Sequence, residues 1–110
     1  MEWQMSYYNE ALQQEIMKFS VGFQARYIHL TQRMMIYGDI IGMPHFRARS
    51  DGLFDLHLKS EEGTQILYCT LVGNKIVILH TYVKKSKNPP LRELEVALRR
   101  MQEVKANDDA

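Results

Sequence analysis

The sequence GLFDLHLK, residues 52–59, alternates apolar and polar side chains, a pattern typical of a β-strand with one face against a core. Two further runs of strand type follow it, ILYC at residues 66–69 and IVILHTYV at residues 76–83. Turn sequences around Gly63 and Gly73-Asn74 separate the three runs, so they are predicted to form an antiparallel meander. The last run is apolar on both faces, which predicts a central strand.

Apolar residues recur at helical spacing on both sides of this predicted sheet. Asn9 and Ser20 are suitable N-caps for two helices that pair as a hairpin, and Gly38 ends the second. Residues 3–8 are expected to add an edge strand, and a final helix is expected to begin at Pro89. The buried stripes are predicted to be Leu12, Ile16 and Phe19 in the first helix, Phe23, Tyr27, Leu30, Met34 and Tyr37 in the second, and Leu91, Leu94, Leu98 and Met101 in the last. The sequence thus predicts an α+β fold, with an N-terminal helical hairpin packed on a small antiparallel β-sheet and a C-terminal helix, in a single domain of residues 1–110.

The composition and the hydropathy pattern disfavour a membrane-spanning or secreted protein. The chain has 110 residues, a formal net charge of +1 and one cysteine. No stretch approaches the roughly 20 apolar residues of a membrane-spanning helix, and the first residues do not resemble a signal peptide, so we expect a cytoplasmic protein with no membrane partner. Cys69 lies in a predicted strand and is expected to act as a small buried apolar residue.

The usual motifs for cofactor chemistry are missing from the sequence. The four histidines have no zinc-finger or His-Glu-x-x-His spacing, and neither a glycine-rich phosphate loop nor a Gly-x-Ser-x-Gly elbow occurs. The sequence therefore predicts neither a metal nor any other cofactor. The basic residues between Lys84 and Arg92, with no acid among them, suit a phosphate group, although ordinary solvated lysines would give the same pattern.

Polar side chains on neighbouring predicted strands suggest a site for RNA cleavage. Attack by a 2′-hydroxyl needs a general base near neutral pKa, a proton donor for the leaving oxygen, and cations for the phosphate. The catalytic candidates are His57 as base or acid, with Lys84, Lys85 and Arg49 holding the phosphate. The RNA-binding candidates are Arg47, Lys59, Lys87 and Tyr82, the last by stacking on a base. The alternative for His57 is an ordinary surface histidine.

Specific residue strings resemble a known family. They are Trp3, YYNE at residues 7–10, GMPH at 42–45, DGLFDL at 51–56, LYC at 67–69, LH at 79–80, VKK at 83–85, Pro90, and a helix with Glu95, Ala97 and Arg99-Arg100. Together they are similar to the phage-derived, HigB-like branch of the RelE/ParE toxin superfamily. The resemblance implies the toxin of a type II toxin–antitoxin module, which cleaves mRNA on the ribosome and inhibits translation. It also implies a cognate antitoxin, usually a helix-turn-helix DNA-binding protein, and leaves the oligomeric state open.

Two parts of the sequence depart from the usual pattern of that branch. Glu-Leu-Arg is usual where this chain has Asp55-Leu56-His57, and an arginine is usual where it has Gln65, whereas Lys84 and Lys85 match. Because such arginines bind the scissile phosphate in the family, their replacement favours an alternative hypothesis. The protein would then be a non-catalytic member of the fold, either a gyrase-inhibiting ParE-like protein or a decayed toxin, that mainly binds its antitoxin. In either case the antitoxin is expected to cover the basic groove or the hairpin face that bears Arg26 and Arg33.

Overall fold

The computed structural model describes residues 3–38, 46–48, 52–58, 63–83 and 90–108. Its elements, in chain order, are β1 (Gln4–Tyr7), α1 (Glu10–Met17), α2 (Val21–Tyr37), β2 (Phe46–Ala48), β3 (Phe54–His57), β4 (Thr64–Leu71), β5 (Lys75–Val83) and α3 (Leu91–Ala106). None of the described helices is both long enough and apolar enough to cross a membrane. The α+β fold class predicted from the sequence is confirmed.

The strands form one five-stranded sheet in the order β1-β5-β4-β3-β2. Strands β2 to β5 pair antiparallel as a meander, as the turn sequences predict. Strand β1 is the predicted edge strand, but it runs parallel to β5, so the sheet is mixed. Two parallel strands need a long crossover connection between them. Here that connection is the part of the chain that contains α1, α2 and the strands β2 to β4. The central position predicted for β5 is confirmed, because it lies between β1 and β4.

Helices cover both faces of the sheet, and a separate apolar core fills each side. Helices α1 and α2 pack on one face through Leu12, Ile16, Phe23, Tyr27, Leu30 and Met34, against Leu56, Leu58, Ile66, Tyr68, Ile76 and Ile78 from the strands. Helix α3 packs on the other face through Ala97 and Met101, against Leu53, Leu67, Cys69, Val77, Leu79 and Tyr82. The period-two pattern of β3 thus divides its residues between two cores, one on each side of the sheet.

The helix ends follow local sequence rules at most positions. The Asn9 side-chain oxygen accepts from Leu12 N at 2.8 Å, and Ser20 Oγ accepts from Phe23 N at 3.2 Å, so both predicted N-caps are confirmed. Gly38 ends α2 with a φ of 68°, as predicted. Helix α3 begins at Leu91 after Pro90, while the predicted start at Pro89 lies outside the described residues.

Two residues of the predicted stripes lie at helix ends and are exposed. Tyr37, the last residue of α2, is 61% exposed, and Leu91, the first residue of α3, is 70% exposed. Their assignment to the buried stripes was therefore wrong. The helical period is correct at both positions, but a terminal turn is buried only where the sheet extends beneath it.

Candidate functional site

Three strands bring His57, Gln65 and Tyr82 together at one edge of the sheet. Strands β3 and β5 are both antiparallel to β4, so they run in the same direction and end at the same edge, where β4 begins. The register pairs His57 with Gln65, and Gln65 with Tyr82. Directly paired side chains lie on the same face of a sheet, so the three form one row on the face that α3 covers.

His57 and Gln65 are joined by a hydrogen bond. The Nδ1 atom of His57 lies 2.9 Å from Oε1 of Gln65. The Gln65 side chain is 1% exposed, whereas His57 is half-buried at the end of β3. In the sequence, Gln65 stands out only as a missing charge, because the cross-strand register that makes it the partner of His57 is not visible there. The two positions where the resemblance leads one to expect arginines are thus direct neighbours.

Asp55 and Tyr82 form a second polar pair on the same face. Tyr82 Oη donates to Oδ2 of Asp55 at 2.8 Å, and the two residues are 5% and 2% exposed. The polar face of β3 predicted from the alternation is therefore partly closed, because α3 and its apolar residues pack over it. In this conformation the Tyr82 ring offers no open face to a base, so the predicted stacking role has no basis in the described geometry.

His80 and Arg100 anchor α3 on the sheet. Leu67 pairs with His80 and Tyr68 pairs with Ile78, which leaves Leu79 as the extra residue of a bulge in β5. Next to this bulge, His80 Nε2 lies 2.8 Å from Glu93 Oε2 on α3, and Arg100 Nη1 donates to the Leu79 carbonyl oxygen at 2.8 Å. His80 therefore links the sheet to the first turns of α3.

The remaining site candidates are only partly described. Arg47 lies in β2 at the register position opposite Asp55. Arg49, Lys59, Lys84, Lys85 and Lys87 lie outside the described residues. In the sequence, Lys84 directly follows the last residue of β5, and Lys59 comes two residues after the end of β3. In sequence, both strands that end at the edge with His57 are therefore followed by lysines.

A second concave region lies at the opposite end of β5. It has a volume of about 300 Å³ and is lined by residues of β1, β5 and the last turns of α3. Its charged groups pair with one another, since Lys75 Nζ lies 2.9 Å from Asp108 Oδ1 and Tyr8 Oη donates to Glu103 Oε2 at 2.7 Å. The hydrogen bond to the Glu103 carboxylate raises the pKa of Tyr8. These internal pairs make this region a weaker candidate than the His57 edge.

Comparison with known proteins relates the chain to a protein family. A family model described as phage-derived protein Gp49-like (DUF891) matches residues 14–102. No curated protein matches the chain. The matched range contains α2, strands β2 to β5 and most of α3, and so includes the row formed by His57, Gln65 and Tyr82.

Proposed function

The chain belongs to the Gp49-like family of phage-derived proteins, and from this membership we propose that it is the toxin of a type II toxin–antitoxin system. Within the RelE/ParE superfamily we assign it to the HigB-like branch. Its proposed activity is that of a ribosome-dependent mRNA endoribonuclease that inhibits translation in the cytoplasm. The family match covers most of the chain and agrees with the resemblance of its residue strings.

The observation that carries the proposed activity is the sheet edge at His57. A half-buried imidazole lies there next to a buried amide, and the two strands that end at this edge, β3 and β5, continue in sequence into Lys59 and into Lys84-Lys85. An imidazole titrates near neutral pH, and ammonium groups stabilise the charge that develops on a phosphate. A proton-transfer group and cations are the parts that RNA cleavage by a neighbouring hydroxyl requires.

The proposed reaction is transesterification. The 2′-oxygen attacks the adjacent phosphorus while His57 takes part in the proton transfer, and the bond from phosphorus to the 5′-oxygen breaks. The leaving 5′-oxygen takes up a proton, which gives a 2′,3′-cyclic phosphate and a 5′-hydroxyl end. Arg49, Lys84 and Lys85 hold the phosphate in this proposal, and Arg47, Lys59 and Lys87 contact the RNA backbone. The buried Tyr82 has a structural role here, through its bond to Asp55.

A non-catalytic function is the second candidate, and one observation favours it. The two positions where arginines are usual in the HigB-like branch carry a histidine and an uncharged amide that hydrogen-bond to each other. Neither supplies a permanent positive charge to a phosphate. A member of the fold that poisons gyrase or mainly binds an antitoxin would tolerate this pair, whereas a nuclease must obtain its cations elsewhere.

Induced expression in bacteria tests the proposed activity. Growth is followed while the 5′ ends of cellular mRNA are mapped, for the native chain, the double variant His57→Ala with Lys84→Ala, and the control Gln13→Ala on the exposed side of α1. We expect growth arrest with new mRNA ends inside translated frames for the native chain and the control, and neither effect for the double variant. Arrest with intact mRNA would contradict the nuclease and support the non-catalytic alternative.

The outer face of α2 is the proposed surface for the antitoxin. Val21, Ile28 and Ile36 recur along this face and are 86%, 52% and 57% exposed. By helical spacing Arg26 and Arg33 fall on one flank of this face, and the Arg33 guanidinium carbon lies 5.9 Å from the centre of the Tyr37 ring. Helix α2 contains no acidic residue. An apolar stripe beside a basic one fits an amphipathic helix with acidic flanks, and it disfavours a second copy of α2.

Copurification tests this surface. The chain is co-expressed with the product of the neighbouring open reading frame, as the native sequence, as Ile28→Glu, and as Gln14→Glu on the exposed side of α1. We expect Ile28→Glu to lose most of the complex, because it buries a charge in the apolar stripe and repels acidic flanks, while Gln14→Glu retains it. Equal recovery of all three complexes would rule out α2 as the docking surface and direct attention to the basic groove.

A further inference from the structure

The amide of Gln65 is buried at the candidate site, and its burial is informative. The side chain is 1% exposed, and a buried amide is costly unless its polar atoms find partners. Its Oε1 atom lies 2.9 Å from His57 Nδ1, while its Nε2 atom has no acceptor in the part of the chain that the structure describes. The contact with His57 is therefore the hydrogen bond that the side chain of Gln65 makes among the described residues.

In the structure the Gln65 side chain faces His57 Nδ1 with its oxygen, and this orientation implies which histidine nitrogen carries the proton. An amide oxygen has no hydrogen and only accepts, so His57 Nδ1 must be the donor. A neutral imidazole has one N–H, and with that proton on Nδ1 the lone pair available to a substrate is on Nε2. No partner of Nε2 occurs within the described ranges.

We propose that Gln65 is a positioning residue that holds neutral His57 in the Nδ1–H tautomer, which makes Nε2 of His57 the general base of the site. The base assignment rests on the proposed nuclease function, whereas the tautomer assignment depends only on the hydrogen bond. Nε2 removes the proton from the attacking 2′-hydroxyl as the new bond to phosphorus forms. The leaving 5′-oxygen takes its proton from a general acid other than His57, so the proton and bond changes balance.

The choice of an amide at this position has a specific consequence. Because Gln65 is uncharged, it orients the imidazole and leaves the charge of the site unchanged. A carboxylate in the same place would also accept from Nδ1, but it would stabilise the imidazolium ion and raise the pKa of His57. Gln65→Glu therefore keeps the orientation and alters the pH dependence, whereas Gln65→Leu keeps the approximate volume and removes the acceptor.

Nitrogen NMR of the imidazole rings tests the tautomer without any activity assay. In the ¹⁵N-labelled full chain we expect the shifts of His57 to report Nδ1–H, and in Gln65→Leu we expect a clear increase of the Nε2–H form. His80 is an internal control, because its Nε2 faces the Glu93 carboxylate and must donate. Unchanged His80 signals also show that each variant is folded. An Nε2–H tautomer of His57 in the native chain would overturn the inference.

Cleavage kinetics test the assignment of the base. On ribosome-bound mRNA, we expect Gln65→Leu to slow cleavage about tenfold or more. A general base typically accelerates a reaction about 10²–10⁴-fold, and the variant loses part of that acceleration. Gln65→Glu should recover most of that loss at high pH, with the lower limb of its pH–rate profile moved to higher pH. An unshifted profile in Gln65→Glu would overturn the base assignment. The expected tautomer with no cleavage under any condition would instead refute the nuclease function.

Discussion

Cys69 illustrates how burial controls the chemistry of a single residue. It lies in β4 within the core beneath α3, and burial raises the pKa of its thiol to about 11, against a small opposing effect of Lys105. The thiolate is the reactive form, so at neutral pH the folded protein holds an unreactive thiol. This agrees with the structural role that the sequence suggests for the residue.

Alkylation measures this protection directly. At pH 8 we expect iodoacetamide to modify Cys69 of the folded chain at least about 100-fold more slowly than Cys69 of the chain in denaturant, since both the raised pKa and burial reduce attack. Mass spectrometry of timed samples gives the two rates. Similar rates in both conditions would show that the core beneath α3 opens readily.

The hydroxyl of Tyr82 has a structural role, because it donates to a buried carboxylate. Tyr82→Phe keeps the ring and removes this donor from Asp55, so we expect a loss of about 1–3 kcal/mol in the free energy of unfolding. Urea unfolding followed by circular dichroism gives the value. Tyr37→Phe is the matched control, because that ring is exposed and its variant should stay within about 0.5 kcal/mol of the native chain. A Tyr82→Phe variant as stable as the control would mean that the bond contributes no net stability.

At the scale of single elements, the end of α2 depends on a glycine. Gly38 has a φ of 68°, and a Cβ placed there would overlap the indole of Trp3. Trp3 N also donates to the Met35 carbonyl oxygen at 2.7 Å, so the start of the chain closes over the end of this helix. A left-handed backbone and a close aromatic neighbour both exclude a side chain at this position.

Two glycines of the same element give a matched pair of substitutions. Gly38→Ala is expected to lower the free energy of unfolding by more than about 1–2 kcal/mol, from backbone strain together with the clash. Gly22→Ala, where nothing lies within 4 Å of an added Cβ, is expected to raise it by up to about 1 kcal/mol, because alanine favours the helix. Chemical denaturation of the two variants checks both signs. The same sign for both would contradict the assigned geometry.

Helix α3 offers a similar comparison between neighbouring arginines. Arg100 donates to the Leu79 carbonyl oxygen and lies 4.7 Å from the centre of the Tyr8 ring, whereas Arg99 is exposed. We expect Arg100→Met to cost about 1–3 kcal/mol of stability through the lost charged hydrogen bond, and Arg99→Met to cost less than about 0.5 kcal/mol. Thermal unfolding of both proteins gives the difference. Equal losses would show that the hydrogen bond from Arg100 to the Leu79 carbonyl oxygen contributes no net stability.

At the scale of the whole molecule, β1 protects the central part of the sheet. It pairs parallel with β5, whose residues Ile76 and Ile78 belong to one core and Val77 and Leu79 to the other. Without β1, this long apolar strand would become an edge with unpaired backbone groups, which promotes association between chains.

Removal of residues 1–8 tests that role. We expect the shortened chain to self-associate at concentrations where the full chain does not, because the edge of β5 is then open and Trp3 no longer covers Gly38. Sedimentation velocity compares the two proteins. Gln4→Ala is the control, since it alters one exposed side chain and retains the backbone pairing of β1. A shortened chain with the sedimentation behaviour of the full chain would contradict the prediction.

The sequence by itself determined the features that depend on short-range physics. The helix caps at Asn9 and Ser20, the end of α2 at Gly38, and the meander with its central last strand all follow from neighbouring residues and from the periods of helix and strand. The candidate His57 was also visible, because the alternation in β3 separates its polar and apolar positions. Each of these inferences needs only a window of a few residues.

Tertiary structure alone decided the parallel pairing of β1, the hydrogen bond between His57 and Gln65, and the burial of Tyr82 against Asp55. These features join residues that are distant in sequence, so they depend on strand register and on the side of the sheet that α3 covers. Alternation shows that two faces of a strand differ, but it does not show what packs on each face. The bulge at Leu79 is a further feature that alternation does not show. Its one extra residue changes which side chains of β5 point towards α3.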